Sequence, residues 1–183
     1  MKHHALLQTS LFPQRQQIYD SVINHPEVDH FNAPGIIHGG ANSSWTTVDL
    51  ARRLLPGYDD VIADCLLPCG LEFVAVRPNL ICHTHKDDLN NKNGFARKTL
   101  LMIPLDYDDM AQCDYYDDSG SIVDSATPLP GMDYLHDTQA WHGFANGSRL
   151  RLTLEMGFNE SFDTMLQIIT ERRLFKSHEV SFI

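Results

Sequence analysis

The segment Arg149-Leu150-Arg151-Leu152-Thr153-Leu154-Glu155-Met156 alternates between polar and apolar residues along its whole length. Side chains of a β-strand point alternately to its two faces, so this pattern predicts a strand with one apolar and one polar face. A strand on the protein surface has the same alternation. In a barrel that is covered outside by helices, the leucines pack under the helices and the polar face lines a cavity.

Seven further β-like runs surround this segment between residues 71 and 158, and turn signals such as Asn93-Gly94 and Asn146-Gly147 separate them. Many short strands at this spacing are typical of an antiparallel sandwich or barrel. The predicted strands are Leu71–Val76, Leu80–His83, Thr99–Leu105, Cys113–Tyr116, Ser121–Val123, Tyr134–Asp137, Trp141–Phe144 and Leu150–Phe158. The sequence therefore predicts a jelly-roll-like barrel.

Helical patterns flank the β region on both sides. Pro13 opens a predicted helix that runs to about Asn24, and Ser43 or Ser44 caps a second predicted helix. A third helix is predicted over Ser161–Phe175. We expect one domain over residues 1–183, with helical support in 1–70, the β core in 71–158, and a C-terminal helix and tail in 159–183.

The composition fits one globular domain, because 43% of the 183 residues are hydrophobic and 21% are charged. The chain has 14 basic and 24 acidic residues, and its net charge of −10 disfavours binding to nucleic acid. No apolar run reaches the roughly 18 residues of a membrane span, and the first residues lack the apolar core of a signal peptide. We therefore expect a cytoplasmic protein that binds neither nucleic acid nor membranes.

Two histidine-bearing segments supply candidate metal ligands. His85-Lys86-Asp87 places an imidazole and a carboxylate on the same side of an extended chain. His142, from a distant predicted strand, completes a set of two histidines and one carboxylate. This set leaves three positions open on a metal ion, which suits Fe(II) that must bind a co-substrate and O₂.

Arg151 and Thr153 form a candidate site for a carboxylate. Arg151 follows His142 by nine residues, across the Asn146-Gly147 turn. If both lie on neighbouring strands of one hairpin, the guanidinium lies deeper in the same cavity. Arginine binds a carboxylate through two parallel hydrogen bonds, and Thr153 adds a hydroxyl on the same face.

The series His85-x-Asp87, His142, Arg151-x-Thr153 resembles the common pattern of the 2-oxoglutarate/Fe(II)-dependent oxygenases. The segment 97–105 is similar to their arginine-containing strand that ends in Ile-Pro-Leu, which also occurs in the aspartyl/asparaginyl hydroxylase-like branch. The segment 137–146 is similar to the one that carries their second histidine. The resemblance covers residues 71–158, about half of the chain.

This resemblance implies a double-stranded β-helix, which is a cupin-like barrel. It implies that His85, Asp87 and His142 hold Fe(II), and that Arg151 binds the distal carboxylate of the co-substrate 2-oxoglutarate. Enzymes of the family use O₂ to release succinate and CO₂ and to form a ferryl species, which usually hydroxylates the substrate. Asp87 argues against halogenation, because family halogenases typically lack this carboxylate. The small chain favours a small polar substrate such as an amino acid.

Two assignments within the candidate site stay open. His83 shares a face with His85 and Asp87 in an extended chain, so His83 can be the first ligand, with His85 in the place of the carboxylate. Arg149 shares a face with Arg151, and either guanidinium can reach the co-substrate.

Two other functions also stay open. One is a cupin metalloenzyme with a three-histidine site that does not use 2-oxoglutarate, for which His83-x-His85 and His142 supply the ligands. The other is a non-catalytic barrel that binds a sugar or a peptide without a metal.

Overall fold

The computed structural model of the chain describes residues 2–9, 15–25, 36–38, 43–55, 69–87, 97–106, 111–127, 131–171 and 180–182. The strands are β1 (His4–Thr9), β2 (Ile36–His38), β3 (Ser43–Thr46), β4 (Gly70–Val76), β5 (Ile81–His85), β6 (Thr99–Asp106), β7 (Gln112–Tyr116), β8 (Ile122–Ala126), β9 (Asp133–Asp137), β10 (Trp141–Ala145), β11 (Arg151–Phe158) and β12 (Val180–Phe182). The helices are α1 (Arg15–Ile23), α2 (Val48–Leu54) and α3 (Phe162–Thr170). None of these helices, within the ranges just given, combines the length and the hydropathy of a membrane span.

In the described part of the chain, these strands form two antiparallel sheets. The larger sheet has the order β12-β1-β9-β6-β11-β4-β3-β2, and the smaller one has the order β5-β10-β7-β8. From β4 to β11 the chain winds back and forth between the sheets, since β4, β6, β9 and β11 lie in the larger sheet and β5, β7, β8 and β10 in the smaller one. This winding is that of a double-stranded β-helix, and it confirms the predicted fold class.

The apolar face of β11 packs under the helices. Leu152, Leu154 and Met156 are buried in a core that includes residues of all three helices. Helix α1 lies against β6, and α2 lies against β4. The helices contribute Ile18, Val22, Leu50, Ala51, Leu54, Phe162, Met165 and Ile169 to this core. Burial of this apolar area stabilises the arrangement by about 25 cal/mol for each Å² removed from water.

The opposite face of β11 points into the space between the two sheets. Arg151, Thr153 and Glu155 are buried there, and Arg151 and Glu155 line a cavity. The polar face of the strand is therefore internal, as predicted for a barrel covered by helices, and the alternative of a surface strand is wrong.

All eight predicted strands of the β core are present, and their ends lie within three residues of the predicted ones; the largest difference is in β8, which continues to Ala126 instead of Val123. The predicted helix cap at Ser43 or Ser44 is wrong. Both residues lie in β3, which pairs with β2 and β4. Thr47 caps α2 instead, and its side-chain oxygen accepts a hydrogen bond from the backbone N–H of Leu50.

The third predicted helix corresponds to α3, where the side chain of Ser161 caps the first turn by accepting a hydrogen bond from the backbone N–H of Thr164. Its predicted end at Phe175 lies outside the described residues. Strands β1 and β12 were not predicted; β1 pairs with β9 on one side and with β12 on the other, and so extends the larger sheet.

Candidate metal and co-substrate site

His85, Asp87 and His142 come together at one end of the cavity. His85 ends β5 and pairs directly with His142 on β10. One donor atom of each of the three side chains lies within 4.8 Å of the others. Asp87 Oδ1 is 3.7 Å from His85 Nε2 and 4.0 Å from His142 Nε2. Two imidazole nitrogens and one carboxylate oxygen are a donor set that fits Fe(II). Three protein ligands leave the other coordination positions of the ion open.

Both imidazoles are held through their second ring nitrogen. His85 Nδ1 donates a hydrogen bond to the backbone oxygen of His83 at 2.8 Å, and His142 Nδ1 donates one to the backbone oxygen of Ala140 at 3.0 Å. A carbonyl oxygen can only accept, so each Nδ1 carries a proton, and each Nε2 is the ring atom that can bind a metal. Metal-ligating histidines are usually oriented in this way.

Asp87 is held by Arg97 and by the backbone of a neighbouring loop. Arg97 Nε donates a hydrogen bond to Asp87 Oδ2 at 2.7 Å, and the backbone N–H of Asp87 donates one to the oxygen of Thr138 at 3.0 Å. Arg97 Nη1 also donates to Glu72 at 2.7 Å. Because Oδ2 is engaged by the guanidinium, Oδ1 is the oxygen that faces the two imidazoles.

A β-bulge in β5 turns His85 toward the cavity. The register between β5 and β10 shifts so that His83 and Thr84 lie opposite Gly143 alone. The backbone approach is close, because a Cβ atom on residue 143 would lie 3.0 Å from the backbone oxygen of Cys82. Only glycine accommodates the bulge without a backbone shift.

The bulge also separates His83 from the other candidate ligands. His83 is exposed, and its contact with His85 is made through its backbone oxygen. The expectation that residues 83, 85 and 87 share one face is therefore wrong, because the extra residue in the bulge breaks the period of two. The structure brings His85, Asp87 and His142 together and leaves His83 outside.

The two candidate histidine ligands differ in pKa. The thiol of Cys82, 3.7 Å from His85 Nδ1, and the nearby Asp87 raise the pKa of His85 to about 9, although burial opposes the rise. Burial lowers the pKa of His142. The imidazole of His85 thus holds a second proton beside Asp87. A metal cation displaces that proton when it binds to the ligands.

Arg151 lies inside the cavity, on β11 of the larger sheet, whereas His85 and His142 lie on the smaller sheet. Its residue surface is 6% exposed, and its guanidinium lies 4.8 Å from the centre of the Phe144 ring. Thr153 is the next inward residue of β11, and its buried hydroxyl has no hydrogen-bond partner among the described residues. A buried polar atom of this kind is available for a ligand.

Arg149 does not share the position of Arg151. It precedes β11, its side chain is 63% exposed, and its guanidinium pairs with Asp106 at 2.9 Å on the surface. The expectation that both arginines lie on one face fails because β11 begins only at Arg151. The structure brings Arg151 into the cavity and leaves Arg149 outside.

The cavity connects the candidate metal ligands with Arg151 and has a volume of about 90 Å³. Apolar side chains line much of it, and several polar groups converge on it. Besides the candidate ligands and Arg151, the lining residues are Arg97, Leu100, Met102, Gln112, Cys113, Tyr134, His136, Phe144 and Glu155.

A buried hydrogen-bonded group lies beside His142. The hydroxyl of Tyr115 is within hydrogen-bond distance of the Tyr134 hydroxyl and 2.6 Å from His136 Nδ1. The His136 ring lies edge-on to His142, with 4.4 Å between ring centres, and burial holds the pKa of His136 well below its usual value. The hydroxyl of Tyr115 is thus engaged inside this group.

Tyr134 and His136 line the cavity, and sequence reasoning missed both. They alternate with the core residue Leu135 on β9. That alternation of two polar residues about a leucine is the same signal that identified the inner face of β11, and it could have found them.

No family model matches the sequence, and no curated protein matches it either. Solved structures match the fold. An oxidoreductase of the 2OG-Fe(II) oxygenase family from Burkholderia pseudomallei is 10% identical, with 82% of each chain covered and a TM-score of 0.53. The non-heme α-ketoglutarate-dependent epimerase SnoN of nogalamycin biosynthesis is 13% identical, with 84% of this chain and 76% of the other covered and a TM-score of 0.54.

The viral collagen prolyl hydroxylase of Paramecium bursaria Chlorella virus-1, solved as a complex with 2-oxoglutarate, is also similar. It is 13% identical, with 85% of this chain and 94% of the other covered and a TM-score of 0.50. At these identities the likeness establishes the fold. The chain therefore has the fold of the 2-oxoglutarate/Fe(II)-dependent oxygenases, as its sequence pattern indicates, with a candidate His-Asp-His metal site in the described residues.

Proposed function

We propose that this protein is an Fe(II)- and 2-oxoglutarate-dependent oxygenase that hydroxylates a small polar molecule such as an amino acid. The observation that supports this most directly is the convergence of His85 Nε2, Asp87 Oδ1 and His142 Nε2 within 4.8 Å in the cavity that also contains Arg151. His85, Asp87 and His142 would hold the Fe(II). Bound Fe(II) would supply O₂ activation, coupled to the conversion of 2-oxoglutarate into succinate and CO₂.

Arg151 binds the distal carboxylate of 2-oxoglutarate in this proposal. Its guanidinium can make two parallel hydrogen bonds to a carboxylate. The guanidinium carbon also lies 4.8 Å from the centre of the Phe144 ring, and this cation–π contact helps to hold the group in place. The hydroxyl of Thr153 donates a further hydrogen bond to the same carboxylate. Occupation of this end of the cavity orients the other end of the co-substrate toward the metal ligands.

The chain's other residues hold the ligands in place and exclude water. Backbone oxygens fix the tautomers of His85 and His142, and Arg97 fixes the carboxylate of Asp87. Leu100, Met102 and Phe144 give the cavity an apolar wall, which strengthens the electrostatic contacts inside it.

The size of the cavity favours small ligands. Its volume of about 90 Å³ is below the range of about 300–1,000 Å³ that is usual for drug-sized ligands. The cavity therefore suits small metabolites rather than large ligands.

The experiment is an anaerobic titration of 2-oxoglutarate into Fe(II)-loaded protein, followed by its visible metal-to-ligand charge-transfer band. We expect a band that requires both additions, followed by succinate formation when O₂ is admitted. Arg151→Ala should keep Fe(II) and lose the band at the same co-substrate concentration, whereas Arg149→Ala should keep both. Bound iron without any band would favour the cupin alternative, and protein that binds no iron would favour the non-catalytic barrel.

A further inference from the structure

Glu155 is an acidic residue in the cavity beyond those needed for a metal and a co-substrate. It is the third inward residue of β11 after Arg151 and Thr153, it is 5% exposed, and it lines the cavity. The register of β11 with β4 places it directly opposite Glu72, which is also buried. Like charges in directly opposite positions of neighbouring strands destabilise a sheet, so this pair requires a compensating positive charge.

Arg97 supplies only part of that compensation. Its two short hydrogen bonds, both 2.7 Å, go to Asp87 and Glu72. Its contact with Glu155 Oε2 is 3.5 Å long. Oε1 of Glu155 accepts no hydrogen bond from any residue that the structure describes. Three carboxylates therefore share one guanidinium, and the contact of Glu155 with it is the longest of the three.

Binding of the metal and the co-substrate leaves this imbalance in place. The two positive charges of Fe(II) match the two carboxylates of 2-oxoglutarate, and Arg97 and Arg151 match two of the three protein carboxylates. With all three carboxylates ionised, one negative charge then remains, shared by Glu155 and Glu72, and either a proton or a cationic ligand group can neutralise it, because burial raises the pKa of both carboxyls. A buried charge without a counter-charge is costly, and a positively charged ligand group removes that cost. The net charge of the chain, −10, also attracts cations to the open mouth.

We propose that Glu155 selects a substrate that carries an ammonium or guanidinium group in addition to any α-amino group, so that the substrate is a small organic cation such as a basic amino acid. This inference rests on the proposed oxygenase function. Glu155 accepts a charged hydrogen bond from the cationic group at Oε1. The cation lies on the side of the cavity away from Arg151, so the co-substrate and the substrate have separate sites of opposite charge.

The experiment compares matched probes that differ in charge but little in shape. Binding of L-arginine against L-citrulline, and of L-lysine against L-norleucine, is measured by anaerobic calorimetry on protein loaded with Fe(II) and 2-oxoglutarate. We expect at least one cationic probe to bind tenfold or more tightly than its neutral partner, and to stimulate succinate formation when O₂ is admitted.

Two variants test whether the preference for the cationic probe depends on Glu155. Glu155→Gln has nearly the same shape as a protonated glutamate and should lose the preference for the cationic probe, while it keeps Fe(II) and the charge-transfer band and melts at no lower a temperature than wild type. Glu160→Gln removes one negative charge two residues after the end of the same strand and should keep the preference. Equal binding of both members of each pair, or a preference that survives in Glu155→Gln, overturns the inference. Absence of the charge-transfer band in the wild-type sample would instead show that the proposed function is wrong.

Discussion

Arg97 Nε donates a 2.7 Å hydrogen bond to Asp87 Oδ2, the carboxylate oxygen that does not face the two candidate imidazole ligands. The same guanidinium bridges to Glu72 on β4. Asp87 lies just after β5 in the smaller sheet, so Arg97 links the candidate ligand to the larger sheet. The orientation of Asp87 thus depends on a residue that contacts neither imidazole among the described hydrogen bonds.

Replacement of Arg97 by lysine should weaken metal binding. A lysine ammonium keeps the positive charge among the acidic residues but cannot reproduce the planar fork that spans Asp87 and Glu72. Loss of partners that orient metal ligands commonly costs about 10–100-fold in affinity, and we expect Arg97→Lys to bind Fe(II) roughly tenfold more weakly in an anaerobic titration. Arg149→Lys, on the surface, is the control. Equal Fe(II) affinity in Arg97→Lys and wild type would show that Arg97 does not position Asp87.

Replacement of Gly143 by alanine should disturb the same site from the other side. The added Cβ would lie 3.0 Å from the backbone oxygen of Cys82, so the bulge that aims His85 must shift. We expect a folded protein with roughly tenfold weaker Fe(II) binding, measured with circular dichroism on the same samples.

His83→Ala is the control for Gly143→Ala. The His83 side chain is exposed, and only its backbone oxygen contacts His85, so Fe(II) affinity should not change. If His83→Ala abolished metal binding, the three-histidine ligand set would replace the one with Asp87.

The sequence is sufficient to predict the eight strands of the β core and the inner face of β11, because both depend on local alternation. Arg151, Thr153 and Glu155 follow the period of two, and the structure has them on one internal face. The grouping of His83 with His85 fails because a bulge depends on the partner strand, where Gly143 permits the close approach. The sequence predicts a helix start where the structure has β3, because the pairing of β3 with β4 is a long-range contact that local patterns do not show.

Variants of Arg151 and Thr153 should separate co-substrate binding from metal binding. Arg151→Lys loses the two-point hydrogen bonding to a carboxylate, and we expect about tenfold or greater weakening of 2-oxoglutarate binding. Thr153→Val replaces the hydroxyl by a methyl group of nearly the same volume. The loss of one hydrogen bond, about 0.5–1.5 kcal/mol, predicts that 2-oxoglutarate binding weakens by up to roughly tenfold.

The measurement for both variants is the half-saturation of the charge-transfer band, with Fe(II) affinity determined separately. Arg149→Lys provides the matched substitution outside the cavity. A parallel loss of Fe(II) affinity would mean that the variants damage the metal site, and unchanged half-saturation would remove Arg151 from the co-substrate site.

Glu72 should make the stability of the protein depend on pH. Burial, with a contribution from Glu155, raises the pKa of Glu72 from 4.5 to about 7 in the folded protein. Below pH 4.5 the carboxyl is protonated in both the folded and the unfolded state. Between pH 4.5 and 7 the unfolded state releases the proton first, so the free energy of unfolding falls as the pH rises. A shift of this size corresponds to a loss on the order of 3 kcal/mol, which is complete above about pH 7.

The test is the free energy of unfolding, from chemical denaturation between pH 4.5 and 8, for wild type and Glu72→Gln. The glutamine cannot ionise, so the free energy of unfolding of the variant should fall much less across this window. The difference in that free energy between wild type and variant should therefore change steadily up to about pH 7. Glu160→Gln should follow the wild-type profile. Parallel profiles for wild type and Glu72→Gln would mean that Arg97 keeps Glu72 ionised throughout, and that Glu155 and Glu72 share the excess negative charge at every pH measured.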